Sequence, residues 1–487
     1  MIGYECRRVA RWPMVWAILA LLLGAGTWGA RNAARLHRDQ AADIARMTEA
    51  EAAWYEDIRA RAARYGQPST EEVPYWQDPT GASGFSRYFL RRFAAKPHLP
   101  LSTLAVGQSD LQPFAVPLRL ETLFGGDRVY DFEPPRALAT GIFDLSFVLL
   151  FVAPLCLGIA VAVVGAQERD QGILPLVASQ PVRAAHWWSV RLGALAVVLV
   201  PGVVVCVLAA LAAAGAPIVA AWPETVAATM LVAAQTLFWI AVAGWCVARG
   251  HGAVATASTV VGIWLVLTIA LPLAGSLALR AVASPPSPVT DVDELRRITD
   301  DVQGEADEIV RRGLIAHFGP DAAVIDPGRL DYATRLVLIT QEMERRLQHQ
   351  EVRRQEYRRA ASLVARAIWW LSPPVAFQTA LTDLAGTGTA RHHVFLDQVR
   401  AFQLELRDFM YPRVLAQLRS GPSRSCEGCP GRLTFLDYEA IPSFAMGDLP
   451  TARRVAAAVS TASWLALVVA AIAVAGVGRG AAWALES

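Results

Sequence analysis

The stretch "GAQERDQGILPLVASQPVRAAHWW", residues 165–188, decides how this chain is read. Two apolar runs flank it, residues 142–164 and 192–214, and each is long enough as a helix to cross the roughly 30 Å core of a bilayer. The stretch itself is charged and contains Gly172 and Pro181, which break helices. It therefore predicts a short polar connection between two membrane helices.

The composition agrees with a membrane protein. Of 487 residues, 54% are hydrophobic and only 18% are charged, which is too apolar for a soluble domain of this length. The 45 basic and 43 acidic residues leave a net charge of +2. Such a balance gives no field that would attract nucleic acid, so the lipid bilayer is the expected environment and nucleic acid is not an expected partner.

Six apolar windows are long enough to span a bilayer. The first resembles a signal peptide, but Gly29-Ala30-Arg31 is a poor cleavage site and a helical pattern continues beyond it. We therefore predict six transmembrane helices at residues 13–30, 142–164, 192–214, 226–248, 253–279 and 455–477.

Arginines in the short connections predict the orientation, because such loops are richer in basic residues on the cytoplasmic side. The loop at residues 215–221 has none. The N-terminal segment 1–12, the loop 165–191 and the tail 478–487 are accordingly predicted to be cytoplasmic. The arginines that decide this are Arg7, Arg8, Arg11, Arg169, Arg183 and Arg249.

This topology leaves two long segments, 31–141 and 280–454, on the outer side. The first continues the helical pattern of the first span and then becomes rich in Pro and Gly, which predicts short strands and turns. The second predicts helices at residues 292–318, 328–370 and 393–418. The expected fold is an all-α polytopic membrane protein with six spans, a mixed α/β first extracytoplasmic segment and a mainly helical second one.

The second outer segment contains "EMERRLQHQEVRRQEYRR", residues 342–359, whose charges alternate in sign. A solvated helix face is favoured over a binding site.

Cys426 and Cys429 form a CxxC in the second outer segment. A zinc site needs further ligands at a related spacing, and none follows. In an oxidising compartment a local disulfide that closes a turn is favoured over a redox site. No metal site is predicted.

Enzymatic motifs are missing from the sequence. Lys96 is the only lysine, so a GxxxxGK[ST] phosphate loop does not occur. "TGASGFS", residues 80–86, contains a GxSG string, but no histidine lies in a predicted span to serve as its base. His392 and His393 are expected on the surface. We predict no enzyme activity and no cofactor for this chain.

The quoted loop itself predicts an amphipathic helix. A charged turn around Glu168 and Arg169 precedes an apolar face that includes Leu174, and Pro181 ends the pattern. Such a helix lies on a membrane surface or in a groove of another protein.

At this point the sequence resembles the permease subunits of ABC-2-type transporters. Their corresponding loop carries an acidic and a basic residue, then Gly, a hydrophobic pair and "SQPV", as in "ERDQGILPLVASQPV" from Glu168 to Val182. Pro175 departs from the unbroken Leu-rich run of that family. A subgroup with two large extracytoplasmic segments shares further blocks, similar to "PLSTLAVGQSDLQP" (100–113), "GIFDLSFVLLFVAPL" (141–155) and "LSPPVAFQTALTDLAGTGTARHHVFLDQVRAF" (371–402). Together these cover about a quarter of the chain.

The resemblance implies a bacterial inner-membrane permease that pairs with a second permease subunit, itself or a relative, and with a cytoplasmic ATPase dimer docked on the loop. It implies that Glu168 and Arg169 make polar contacts to the ATPase and that Gly172 allows close approach. It further implies that Leu174, Pro181 and Val182 take part in coupling to the ATPase and that Pro181 fixes where the docking helix ends. Export is favoured by analogy, and the outer segments are candidate contacts for a periplasmic partner.

A competing hypothesis is a non-transporting membrane scaffold or sensor whose outer helices bind a partner protein, with the loop passive.

Overall fold

The computed structural model describes residues 2–65, 74–121, 141–172, 184–420 and 435–483, together with 176, 179 and 433. Most of the described residues are helical. The chain forms a bundle of apolar helices and a polar lobe at one end of the bundle.

The chain begins with a short helix, α1 (Ile2–Ala10), followed by one long helix, α2 (Pro13–Tyr65). Pro13 starts α2, because a first-turn proline needs no N–H partner. The first half of α2 packs in the bundle, whereas Tyr55 and Ile58 are buried in the lobe. The expected continuation of the first apolar helix beyond the predicted span is therefore confirmed.

Among the described residues six helices are long and apolar enough to cross a membrane, which agrees with an all-α membrane protein. After α2 they are α4 (Leu145–Phe147) with α5 (Ala153–Asp170), α6 (Ala184–Ala213), α7 (Trp222–Ala248), α8 (Ala253–Leu265) with α9 (Leu271–Val282), and α16 (Thr451–Trp483).

Two of these spans contain a π-helical turn, at Val148–Val152 and at Val266–Ala270. In each case a proline follows two residues later, Pro154 or Pro272. A proline inside a helix removes one N–H donor and collides with the preceding turn, and a π turn accommodates both effects.

Contacts between the helices define two ends of the bundle. At the loop end, where α5 ends and α6 begins, Arg8 of α1 donates to Gln167. At the lobe end, Asn32 of α2 donates to the carbonyl of Phe143 at 3.1 Å. The spans differ in how much of their surface the rest of the protein covers. The most apolar window of α7 is 67% buried, whereas that of the span formed by α8 and α9 is only 6% buried.

The lobe contains one small antiparallel sheet, β1 (Arg92–Ala95) with β2 (Ala115–Leu118), in the register Arg92 to Leu118. The helical turn α3 (Ala82–Gly84) continues as a π turn, Phe85–Phe89, into the same core. That core includes Phe85, Phe395 and Leu406, all fully buried.

The rest of the lobe is helical. Its elements are α10 (Pro288–Gly304), α11 (Ala306–Phe318), α12 (Tyr332–Leu371), α13 (Pro373–Ala385), α14 (Thr389–Ser420) and α15 (Phe435–Ala440), with 3₁₀ turns at Ser102–Leu104, Pro320–Val324 and Pro327–Arg329.

Two expected helix bounds were wrong. The helix expected over residues 292–318 is broken between α10 and α11 at Glu305, next to Gly304, a residue with low helix propensity. The helix expected from residue 328 begins instead after Asp331. The Asp331 side chain accepts the N–H of Thr334 and caps the new helix.

The charged run of α12 is not simply a solvated face. Glu344 pairs with Arg407 and Glu351 with Arg400, both on α14, at 2.7 and 2.9 Å. Since Arg407 is 4% exposed, this face of α12 is an interhelical contact. The expectation of a solvated face was wrong for this side of α12, because the alternation of charges along the sequence does not show which neighbouring helix supplies the opposite charge.

Candidate functional site

The loop end of the bundle contains a buried network of charged side chains. Both carboxylate oxygens of Glu168 accept from the guanidinium of Arg191, and Arg8 donates to Glu168 Oε1 at 3.0 Å. Glu5 completes the network, 3.7 Å from Arg191 Nε. Arg191 is 1% exposed and Glu168 7%. Buried charges are tolerated when they are paired and hydrogen-bonded, as they are here.

The network joins three helices. Glu5 and Arg8 lie on α1, Glu168 on the last turn of α5 and Arg191 on α6. Val9, fully buried in the bundle core, holds α1 against the spans from its apolar side. A displacement of the chain between α5 and α6 would therefore act on three helices together.

A second contact ties the loop end to the fifth span. Asp170 Oδ2 accepts the N–H of Ala253, the first residue of α8, at 3.0 Å. A carboxylate suits this place, since helix N-termini have unpaired N–H groups and a partial positive charge. Gly172, two residues after the last residue of α5, has a φ of +68°, a left-handed conformation that glycine adopts without strain.

The structure separates the predicted docking residues. Glu168 is inside the network, Arg169 is half-buried, and Gly172 is exposed with open space where a Cβ would lie. Leu174, Pro181 and Val182 lie outside the described residues. Leu176 is described and is 67% exposed, a large apolar side chain in the loop.

The sequence reading missed the partners of Glu168. It treated Arg8 only as an orientation signal and placed Arg191 at the edge of a loop. The sequence did contain one indication of this pair. Glu168 and Arg191 lie at the facing ends of two adjacent apolar runs, which would place their opposite charges at a similar depth in the bilayer.

The lobe end brings together the three blocks 100–113, 141–155 and 371–402. Asp144 accepts the N–H of Val106 and of Phe147, each at 2.7 Å, and so joins the first two. Gln378 of α13 donates to Ser146 Oγ at 3.3 Å and joins the third. Segments far apart in sequence thus form one junction over the bundle.

A second buried ion pair lies at this end. Glu224, at the start of α7, is 3.4 Å from Arg454, near the start of α16. Arg454 also donates to the carbonyl of Leu384 at 3.3 Å and to Thr451 Oγ1 at 3.0 Å. The pair therefore holds the end of α13 against two spans.

The lobe also contains a cluster of buried basic groups. Lys96 is 4% exposed and lies 3.3 Å from Gln112 Oε1 and 3.5 Å from His392 Nδ1. Burial, with a smaller effect of Arg391, lowers the pKa of Lys96 to about 8. Burial, followed by nearby positive charge, lowers the pKa of His392 to about 3.

The expectation that His392 lies on the surface was wrong. It lies in the first turn of α14 and is 9% exposed, because that turn faces the segment after β1. The neighbouring His98 stacks on His37 of α2 with ring centroids 4.3 Å apart.

The cysteine prediction falls on undescribed positions, since Cys426 and Cys429 lie outside the described residues. Cys6, Cys156, Cys206 and Cys246 are free thiols. In the part of the chain that the structure describes, no group of three or more His, Cys, Asp or Glu side chains is placed to hold a metal ion.

Residues 317–423 match a protein-family model described as a domain of unknown function, DUF3526. The matched part includes α12, α13 and α14 and contains none of the six candidate spans. No curated protein and no solved structure matches the chain.

Proposed function

We propose that this chain is the permease subunit of an ABC-2-type ATP-driven transporter, an exporter of an unidentified substrate. One observation carries the proposal: the network around Glu168 ties the start of the loop to α1, α5 and α6. A push on the loop by a partner would move these helices as a unit, which is the rigid-body coupling such a transporter needs.

The structure changes the role that we assign to Glu168. Its carboxylate is buried and engaged by Arg191 and Arg8, so it transmits force within the chain. Contact with the ATPase is assigned to the adjoining Arg169, Gly172 and Leu176. Leu176 suits such a contact because an exposed leucine gains free energy when a partner covers it.

Five further parts of the proposal rest on the same reading. Both termini and the loop are cytoplasmic, the protein lies in a bacterial inner membrane, and a second permease subunit pairs with it. ATP is hydrolysed by a separate ATPase dimer and not by this chain. The lobe, with its small sheet and helices, is extracytoplasmic and contacts substrate or a periplasmic partner.

The test is affinity purification of the full chain in mild detergent, followed by mass spectrometry and an ATP hydrolysis assay. We expect a phosphate-loop ATPase to co-purify with the native chain and to be lost in the double variant Arg169→Glu with Leu176→Glu. The matched control makes comparable changes on the lobe, Arg312→Glu with Val324→Glu, at two exposed side chains. This control should retain the ATPase.

The competing function is a non-transporting scaffold or sensor, favoured by the family match to lobe helices and not to the spans. The scaffold hypothesis predicts the opposite outcome for the loop variant and the lobe variant. The loop variant would then change no partner, whereas the lobe variant would release an outer-face protein. Well-expressed chain that brings down no ATPase in any form would reject the permease assignment.

A further inference from the structure

The connection between α12 and α13 lies deep in the helical bundle, although both helices belong to the lobe. Ser372, which joins the two helices, donates to the carbonyl of Leu267, halfway along the fifth span, at 2.7 Å. Trp369 stacks on Trp464, halfway along the sixth span, with ring centroids 5.0 Å apart. Two spans thus place this connection at the level of their own midpoints.

Both helices reach this level from the lobe end. Ile368 of α12 packs against Gly275 of α9, where an added Cβ would collide with it. α13 returns toward the lobe end, where Arg454 donates to the carbonyl of Leu384. Its 13 residues correspond to about 20 Å, a little more than half of the roughly 30 Å hydrocarbon core. The two helices therefore form a re-entrant hairpin, which enters the bundle, turns at Ser372 and leaves on the same side.

The turn of this hairpin satisfies its backbone groups without water. Ser372 is fully buried, and its carbonyl accepts the N–H of Ala376 at 3.0 Å. The N–H of Val375 donates to Ser372 Oγ at 3.2 Å. Pro373 and Pro374 have no N–H to satisfy. The first four residues of α13 thus leave no free N–H, which is the condition for a helix end at membrane depth.

One face of α12 remains exposed over the same depth. Its residues are spaced by three or four, so they share one side of the helix. Leu363 is 63% and Trp370 58% exposed, and the two other members are exposed arginines. Neither arginine forms an ion pair with a described residue. This face, the α12 strip, comprises Arg359, Leu363, Arg366 and Trp370.

The order of residues along the α12 strip matches the layers of a bilayer. With a rise of about 1.5 Å per residue, Trp370 and Leu363 lie about 3 and 14 Å from the level of Ser372, within the roughly 15 Å of acyl chains on that side. Arg359 lies about 20 Å away, at the lipid head groups. Arg366 lies about 9 Å away. Because helical side chains point toward the N-terminus of their helix, its guanidinium extends toward the head groups.

We propose that the re-entrant hairpin is immersed in the lipid leaflet on the lobe side and that the α12 strip binds an anionic phospholipid of that leaflet. The acyl chains pack on its apolar side chains, and the lipid phosphate pairs with its two arginines. Leu273 and Leu277 of the adjoining α9, each 58% exposed, extend the apolar surface. Since the hairpin lies within residues 317–423, the matched family domain contacts the membrane directly.

A lipid suits the α12 strip better than a second copy of the chain does. Two copies that met through this face in a symmetric dimer would bring the same unpaired arginines together, and like charges repel. A phosphate neutralises them instead. The inference depends neither on the permease assignment nor on which side of the membrane the lobe lies.

Lipid photolabelling tests the depth and the occupant together. The purified full chain is placed in phosphatidylcholine nanodiscs with a trace of phosphatidylglycerol that carries a diazirine in its acyl chain, and adducts are located by mass spectrometry. We expect adducts on residues 363–371, enriched over those on residues 261–273 of the fifth span. Val352, also exposed on α12 but about 30 Å from the level of Ser372, should carry none. Excess unlabelled phosphatidylglycerol should remove the enrichment, and inorganic phosphate should not.

Arg359→Gln with Arg366→Gln is the decisive variant, because glutamine is polar but uncharged. The adduct yield on residues 363–371, relative to that on residues 261–273 of the same molecules, should fall by at least about fivefold, the effect of one basic residue near anionic lipid. The control Arg345→Gln with Arg353→Gln removes two exposed arginines farther from the turn on the same helix. This control should label like the native chain.

Three results would overturn the inference. They are the absence of adducts on residues 363–371 in a chain whose fifth span is labelled, equal labelling at Val352, and unchanged labelling of Arg359→Gln with Arg366→Gln. Cross-links between two chains at Trp370 in place of lipid adducts would assign the α12 strip to a second copy of the chain.

Discussion

The two ends of the bundle each bury an ion pair, but they use it differently. At the loop end two acids and two arginines from α1, α5 and α6 share one network, Glu5, Arg8, Glu168 and Arg191. At the lobe end a single pair, Glu224 with Arg454, joins α7 to α16, and Arg454 has two further acceptors.

The two buried arginines differ in the hydrogen-bond partners that they keep when the carboxylate partner is removed. Arg191 depends on carboxylates, since its hydrogen bonds go to Glu168 and the second charged group beside it is the carboxylate of Glu5. Arg454 keeps a backbone carbonyl and a hydroxyl without Glu224. The loop end is therefore the more sensitive of the two.

Removing the charge of Glu168 should have the largest effect. Glu168→Gln leaves Arg191 buried without its main anion, which costs about 3 to 5 kcal/mol for a broken buried pair. We expect a large drop in melting temperature and in folded yield from detergent-solubilised membranes. The control Glu308→Gln breaks an exposed pair with Arg311 and should change stability by less than about 1 kcal/mol.

The double variant Glu168→Leu with Arg191→Leu sharpens this result. Replacing both partners by apolar side chains removes the unpaired charge, so stability should largely return. A Glu168→Gln chain that melts like the native one would show that the network has no role in stability.

The corresponding change at the lobe end should be smaller. Glu224→Gln should cost about 2 to 3 kcal/mol, because Arg454 retains its bonds to Leu384 and Thr451. The same melting assay compares the two ends directly. A loss at Glu224 equal to or above that at Glu168 would reverse the ranking of the two ends.

Acid should weaken the lobe by an intermediate amount. Burial, with the positive charges nearby, lowers the pKa of His98 to about 3, as it does for His392. The unfolded chain, with histidine pKa near 6.5, therefore binds more protons between pH 6.5 and 3, and stability falls as the pH is lowered through that window. We expect each of the two histidines to contribute a loss of about 1 kcal/mol per pH unit between pH 6.5 and 5.

Melting temperatures at pH 7, 6 and 5 measure this slope. The variant His98→Gln with His392→Gln should flatten it, whereas His186→Gln, at an exposed position, should not. An identical slope in all three chains would assign the acid sensitivity to other groups.

The smallest effect is expected at the helix cap of the loop end. Asp170→Ala removes the acceptor for the N–H of Ala253 and should cost about 0.5 to 1 kcal/mol. Asp43→Ala, at a partly exposed position in the middle of α2 where the carboxylate pairs with Arg46, provides the comparison. If the two variants melt alike, the cap contributes nothing to the fifth span.

Much of the fold could be predicted from local pattern. Six apolar windows predicted six helices because a bilayer demands about 20 apolar residues in one helix, and this requirement is visible in any single stretch. The break at Glu305 and the start of α12 at Tyr332 were missed because both depend on caps and turns. The candidate site was only partly predictable: Glu168 was selected, but its partners Arg8 and Arg191 were not.

By itself, the sequence determined the apolar helices, their number, the charged stretch between the second and third, and the single lysine that rules out a phosphate loop. Hydrophobic length and residue identity are properties of the chain alone. Only the tertiary structure decided that Glu168 faces inward and that three distant blocks meet over the bundle. These results depend on which faces of separate helices pack together, which apolar periodicity alone does not specify.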